Sequence, residues 1–150
     1  MRTNPHTFVV WDRRTPCPTI PPVQLFSHER TGPGTYRLDC SGFVSWVWGI
    51  KPAVGDGGAR TFEYEHDART SLYYWSIPIH VEELRRFDIL IRHHHHVVLF
   101  DEWIVENEIA YVWEMAHHNE NQTLLNGFYH HALGINDHAW ETRRFNPKAN

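Results

Sequence analysis

Cys40 stands in the stretch Leu38-Asp-Cys-Ser-Gly-Phe-Val-Ser-Trp-Val-Trp48, immediately ahead of an apolar run. Phe43, Val44 and Val47 follow at helical spacing, so the run predicts a helix from Cys40 to about Trp48 with the thiol at its mouth. Helix mouths carry unpaired backbone N–H groups and the positive end of the macrodipole, a setting that favours thiolates and can stabilise an oxyanion. Gly42 leaves room for a substrate backbone or a neighbouring strand. Asp39 and Ser41, on either side of the thiol, are candidate substrate contacts or helix caps. The plainer alternative is a small buried hydrophobe at a helix start. A cysteine nucleophile needs a base near neutral pH, and the chain holds 13 histidines, clustered at His93–His96, His117-His118 and His130-His131. In a strand, His94 and His96 share one face and His93 and His95 the other. His96 is the one that abuts the apolar Val-Val-Leu-Phe run.

The elements that must position these groups fall into two halves. Residues 1–25 form an irregular N-terminal extension rich in Pro, as in "TPCPTIPPV", with room for one short strand at Thr7–Trp11. After the helix, Lys51-Pro52 and "VGDGG" force a loop. Residues 61–76 read as a second helix, and His80–Arg86 as a helical turn. From Asp88 onward, "DILIR", "HHVVLFDEWIV", "IAYVWEMA" and "AWETRRF" are β-branched and aromatic runs separated by polar turns. The expectation is a single α+β domain over residues 1–150, with three or four antiparallel strands after a helical half.

"DCSGFV" at a helix start resembles the nucleophile motif of the NlpC family of papain-like cysteine peptidases. The resemblance continues in order along residues 26–145. "ARTFEY" is similar to a Pro-Arg-Thr segment, with Ala59 in place of Pro. "LRRFDILI" is similar to a Gly-Asp entry to the catalytic strand, with Phe87 in place of Gly. His96-Val-Val-Leu-Phe100 resembles the strand that opens on the catalytic His, and "TRRF" resembles the last strand. Aligning "YVWEMA" on the strand that supplies the third polar residue puts Glu114 there, with His117 and His118 as rivals. The resemblance thus implies a papain-like NlpC-type fold, its nucleophile cysteine on a helix N-terminus packed on an antiparallel sheet. It also implies a triad of Cys40, His96 and Glu114. His28 occupies the position, twelve residues before the cysteine, where relatives often have a Tyr, and is a further candidate substrate contact. Trp46, Trp48 and Trp113 read as groove-lining or core aromatics.

The activity implied is hydrolysis of amide bonds in peptidoglycan stem peptides, between D-glutamate and a diamino acid, through an acyl-enzyme and without a cofactor. Papain-like amidases and acyltransferases on other substrates are the alternative, followed by a non-catalytic structural or metal-binding domain. The net charge of −4 gives no basic footprint for nucleic acid or anionic membranes, and no apolar run nears the roughly 20 residues of a membrane span. The N-terminus lacks a signal-peptide pattern, so the expected route is synthesis in a cytoplasm and action on the cell wall after lysis, virion assembly or delivery. An immunity protein or a virion component would then be a partner. The histidine clusters lack the H-E-x-x-H or C-x-x-C spacing of a dedicated metal site, and none is expected. Cys17 and Cys40 read as two independent thiols.

Overall fold

In the computed structural model, described over residues 2–4, 7–10, 26–27, 35–37, 39–51, 57–61, 68–92, 95–116, 127–135 and 140–147, one α-helix packs on a large, mainly antiparallel sheet. The strands are β1 (Arg2–Asn4), β2 (Thr7–Val10), β3 (Phe26–Ser27), β4 (Tyr36–Arg37), β5 (Ser76–Pro78), β6 (Ile89–Arg92), β7 (His96–Val105), β8 (Ile109–Ala116), β9 (Gly127–Gly134) and β10 (Glu141–Phe145). Eight of them form one sheet in the order β1-β2-β9-β8-β7-β6-β10-β5, and β3 pairs with β4 separately. Every pairing in the large sheet is antiparallel except β2 with β9.

The helix α1 (Cys40–Trp48) starts and stops on the residues that the sequence marks. Asp39 is its N-cap, in extended conformation, and accepts the Gly42 N–H at 2.8 Å. Gly49 ends it with φ 75°, and the N–H groups of Gly49 and Ile50 close back on Trp46 and Ser45 carbonyls at 3.2 and 2.9 Å. Gly42 is fixed by a close approach: a Cβ there would lie 2.0 Å from the Arg37 carbonyl oxygen of β4. Of the two neighbours that the sequence allowed at this glycine, the structure supplies the strand.

Two apolar clusters lie on opposite faces of the sheet, as strand alternation requires. Phe43, Val44 and Trp48 of α1 pack with Ile89, Ile91, Val97, Leu99, Trp113 and Met115. The alternate residues Leu90, Val98, Phe100, Ala110 and Val112 build the second cluster with Leu84 and Ile135. The sheet exceeds the expected strands by β1, β5 and β9; in β9 the adjacent His130 and His131 break the polar/apolar alternation that marks a strand. In the N-terminal extension the strand expected near Thr7–Trp11 forms at Thr7–Val10 beside β9, and Arg2–Asn4, which was not expected, extends the sheet beyond it.

The second helix expected over residues 61–76 is corrected. Residues 62–67 lie outside the described ones, and the remainder holds a 3-10 turn (Ala68–Thr70), turns, and the start of β5. Tertiary partners take the backbone groups that a helix would need. The Leu72 N–H donates to Arg60, Asn146 N–H to the Trp75 carbonyl, and the Arg143 guanidinium to the Tyr73 and Ser76 carbonyls. The helical turn expected over His80–Arg86 is a 3-10 turn at Val81–Glu83.

Candidate active site

The mouth of α1 opens beside the start of β7. Asp39 keeps the Gly42 N–H for its side chain and the Phe43 N–H for its carbonyl, at 2.8 and 3.0 Å. The N–H groups of Cys40 and Ser41 are left at the mouth without a partner among the described residues. Cys40 is a free thiol and partly exposed. It lies near enough to the imidazole of His96 to act on that ring's pKa.

His96 is the first residue of β7. Alternation counts it with Val98, on the face away from α1, and its ring lies 6.4 Å from that of Trp140, which packs on that face's cluster. Because it sits at the strand end, it is not confined to one face and still reaches the thiol. Its Nε2 bonds to Glu114 Oε1 at 2.5 Å, which leaves Nδ1 as the ring nitrogen open to Cys40. Glu114, on β8, is 13% exposed in its side chain, and its second oxygen is bonded to Nε2 of His131 on β9. A chain of four side chains therefore runs from the helix mouth across β7 and β8 to β9.

The charges in this chain are strongly interdependent. Burial of the His96 ring pulls its pKa down, but hydrogen bonds to Cys40 and Glu114 and the charges on both raise it to about 10. Burial would raise the Glu114 carboxyl, yet the hydrogen bonds from His131 and His96 outweigh it and bring the pKa to about 2. At neutral pH the middle of the chain is an imidazolium held by a carboxylate.

The other expected site residues are placed differently. Ser41 is 5% exposed, and Arg37 Nη2 donates to its hydroxyl at 3.0 Å, so its side chain does not present itself to a substrate. Asp39 is occupied as the N-cap and by Arg37 Nε at 3.1 Å. Asp39 thus serves as the cap, and the Ser41 hydroxyl is held between the Arg37 and Asp39 side chains. His28, His93, His94, His117, His118 and Cys17 lie outside the described residues. His95 is an exposed turn residue. Trp113 is fully buried and Trp48 nearly so. His131 stands in the sequence only as part of the His130-His131 cluster; the structure pairs it with Val112 on β9 and so brings it to the sheet face of Glu114. Among the described residues, no group of three or more His, Cys, Asp or Glu is arranged to hold a metal ion, and no helix is long and apolar enough to cross a membrane.

Neither a protein-family model, nor a curated protein, nor a solved structure matches this chain.

Proposed function

We propose that the protein is a papain-like cysteine amidase of NlpC type, cutting amide bonds in peptidoglycan stem peptides between D-glutamate and a diamino acid. The observation that carries the reading is the His96–Glu114 pair at a helix mouth beside Cys40, with an imidazole pKa raised by both the thiol and the carboxylate and a lowered carboxyl pKa. Structural histidines need no thiol partner, and a structural cysteine needs no imidazolium.

In this mechanism the Cys40 thiolate attacks the scissile carbonyl, and Sγ bonds to the acyl carbon. The N–H groups of Cys40 and Ser41 receive the developing oxyanion. As the C–N bond breaks, the His96 imidazolium gives its proton to the departing amine. The neutral imidazole then takes a proton from water, whose oxygen attacks the thioester. Release of the C–S bond restores thiolate and imidazolium. Glu114 holds the ring with Nδ1 towards sulfur and stabilises the imidazolium, the role of the carboxylate in a triad.

The reading is tested by incubating purified sacculi with the protein and with Cys40→Ala, then assigning released fragments by mass. Fragments newly ended at D-glutamate, produced by the parent protein alone, are expected. Equal release by the two would remove Cys40 from the chemistry. Cys40-dependent release of fragments ended at another bond would keep the nucleophile and overturn the substrate.

A further inference from the structure

At the opposite end of α1 from Cys40, a cavity of about 650 Å³ opens between the last helical turn, the Arg85–Asp88 turn and the end of β10. Its aromatic walls are Trp46, Trp48, Phe87 and Phe145, and its cationic groups are Arg85, Arg86 and Arg144. This size, with aromatic walls and a few convergent polar groups, is typical of small-ligand sites.

The turn itself carries a sign of function. Asp88 N–H donates to the Arg85 carbonyl at 2.9 Å, and the Asp88 carboxylate accepts the Arg85 N–H at 2.7 Å. Phe87 is the third residue of that β-turn and has φ 79°, a conformation that ordinarily selects glycine. Phe87 is nevertheless 39% exposed, so core packing does not account for an aromatic there. Strain held at an exposed position beside a cavity points to a function for the side chain. The turn is anchored at Phe87, whose carbonyl accepts the Trp48 indole N–H at 2.9 Å and whose N–H donates to Phe100 at 2.9 Å.

We infer that this cavity binds an apolar monocarboxylate: an aromatic or aliphatic group on Phe87 and the tryptophans, with one carboxylate on Arg85. The charge follows from the partners of the cationic groups. Arg144 is spent on both oxygens of Asp88, at 2.8 and 2.9 Å, and Arg86 on Asp101 at 2.7 Å. The guanidinium of Arg85 has no partner among the described residues. One open guanidinium fork matches one carboxylate, whereas a dianionic phosphate calls for more positive charge than is left. The site is independent of Cys40, so it stands or falls apart from the proposed catalysis.

The test is a titration of isotope-labelled protein with N-acetyl-phenylalanine, following the indole N–H resonances of Trp46 and Trp48. Saturable shifts are expected, with N-acetyl-phenylalaninamide at least about tenfold weaker because it lacks the charge. Equal binding of acid and amide, tighter binding of phenyl phosphate, or no saturable shift with any probe overturns the inference. 3-Phenylpropionate identifies the source: parity with N-acetyl-phenylalanine assigns a free acid, and weaker binding assigns a peptide chain end. Arg85→Gln, at an exposed position, should fold normally and lose at least about tenfold in affinity; unchanged affinity overturns the proposal. Phe87→Gly should raise Tm while weakening binding. A fall in Tm would make Phe87 a packing residue and remove the strain from the argument.

Discussion

Two carboxylates in the sheet each hold a histidine, in different surroundings. Asp101 lies in a β-bulge: Phe100 faces Val112 and Glu102 faces Tyr111, so Asp101 has no residue opposite. One of its oxygens bonds to His130 at 2.8 Å and the other to Arg86 at 2.7 Å, and the side chains of Asp101 and His130 are both 0% exposed. His130 is also stacked on Trp113, with centroids 4.0 Å apart. Glu114 likewise has both oxygens on cation-forming partners, but one of them, His96, goes on to a thiol and the other is open to water. A buried carboxylate–histidine pair is therefore no indicator of catalysis. What separates the two is access and a partly exposed thiol beside the Glu114 pair.

The largest contrast expected is in turnover. Cys40→Ala should abolish hydrolysis, and His96→Ala should lower kcat by on the order of 10²–10⁴, since base and acid are lost together. His95→Ala, at an exposed turn, should behave as the parent protein. Loss of activity in His95→Ala with retention in His96→Ala would reverse the assignment and the strand register with it.

Asp101→Ala should cost stability. Removing the carboxylate leaves His130 buried without its acceptor and Arg86 without its counter-charge, a loss of about 3 kcal/mol. A urea denaturation midpoint reports it, and kcat per folded molecule should be unchanged. Glu114→Gln should differ in its effect on turnover, with a kcat per folded molecule lower by on the order of 10² beside whatever stability it loses. If both variants lose stability and neither loses kcat, the Glu114 chain is a second structural pair.

The dependence of stability on pH sharpens the same comparison. The raised His96 pKa contributes stability fully below the ordinary value of 6.5, and that contribution fades as pH rises through about 10. The lowered Glu114 pKa contributes above the ordinary value of 4.5 and is lost as pH falls through about 2. Both contributions are complete between about pH 4.5 and 6.5. Above that window the parent protein should weaken steadily, whereas Glu114→Gln should weaken less because its imidazole has lost a partner. Parallel curves for the two proteins would show that Glu114 does not hold His96.

The smallest effect is expected at His131. It is 46% exposed and touches Glu114 alone among the proposed catalytic groups, so it positions the carboxylate from the solvent side. His131→Ala should reduce kcat by less than about tenfold, within the range of an exposed charge-assisted contact. A loss as large as that of Glu114→Gln would make it an obligate part of the chain.

Local signals in the sequence were enough for α1, because its determinants are local. A capping Asp39, an apolar stripe and Gly49 act within one helical length, and the bounds Cys40–Trp48 follow. The strands β6, β7, β8 and β10 were legible for the same reason, from runs of β-branched and aromatic residues. The segment before β5 was not, because its backbone groups answer to Arg60, Arg143 and Asn146, which are distant in the chain. Cys40 and His96 could be singled out by residue type and neighbours. Glu114 rested on a resemblance, and His131 was read only as part of a histidine cluster, because a third and fourth partner are chosen by cross-strand register. Pairing Val112 with His131 brings that histidine onto the face of Glu114, and the strand-end position of His96 lets it reach Glu114 and the helix mouth alike. The sequence determined which groups could do chemistry. Only the sheet, by setting β7, β8 and β9 side by side in one register, decided which of them touch.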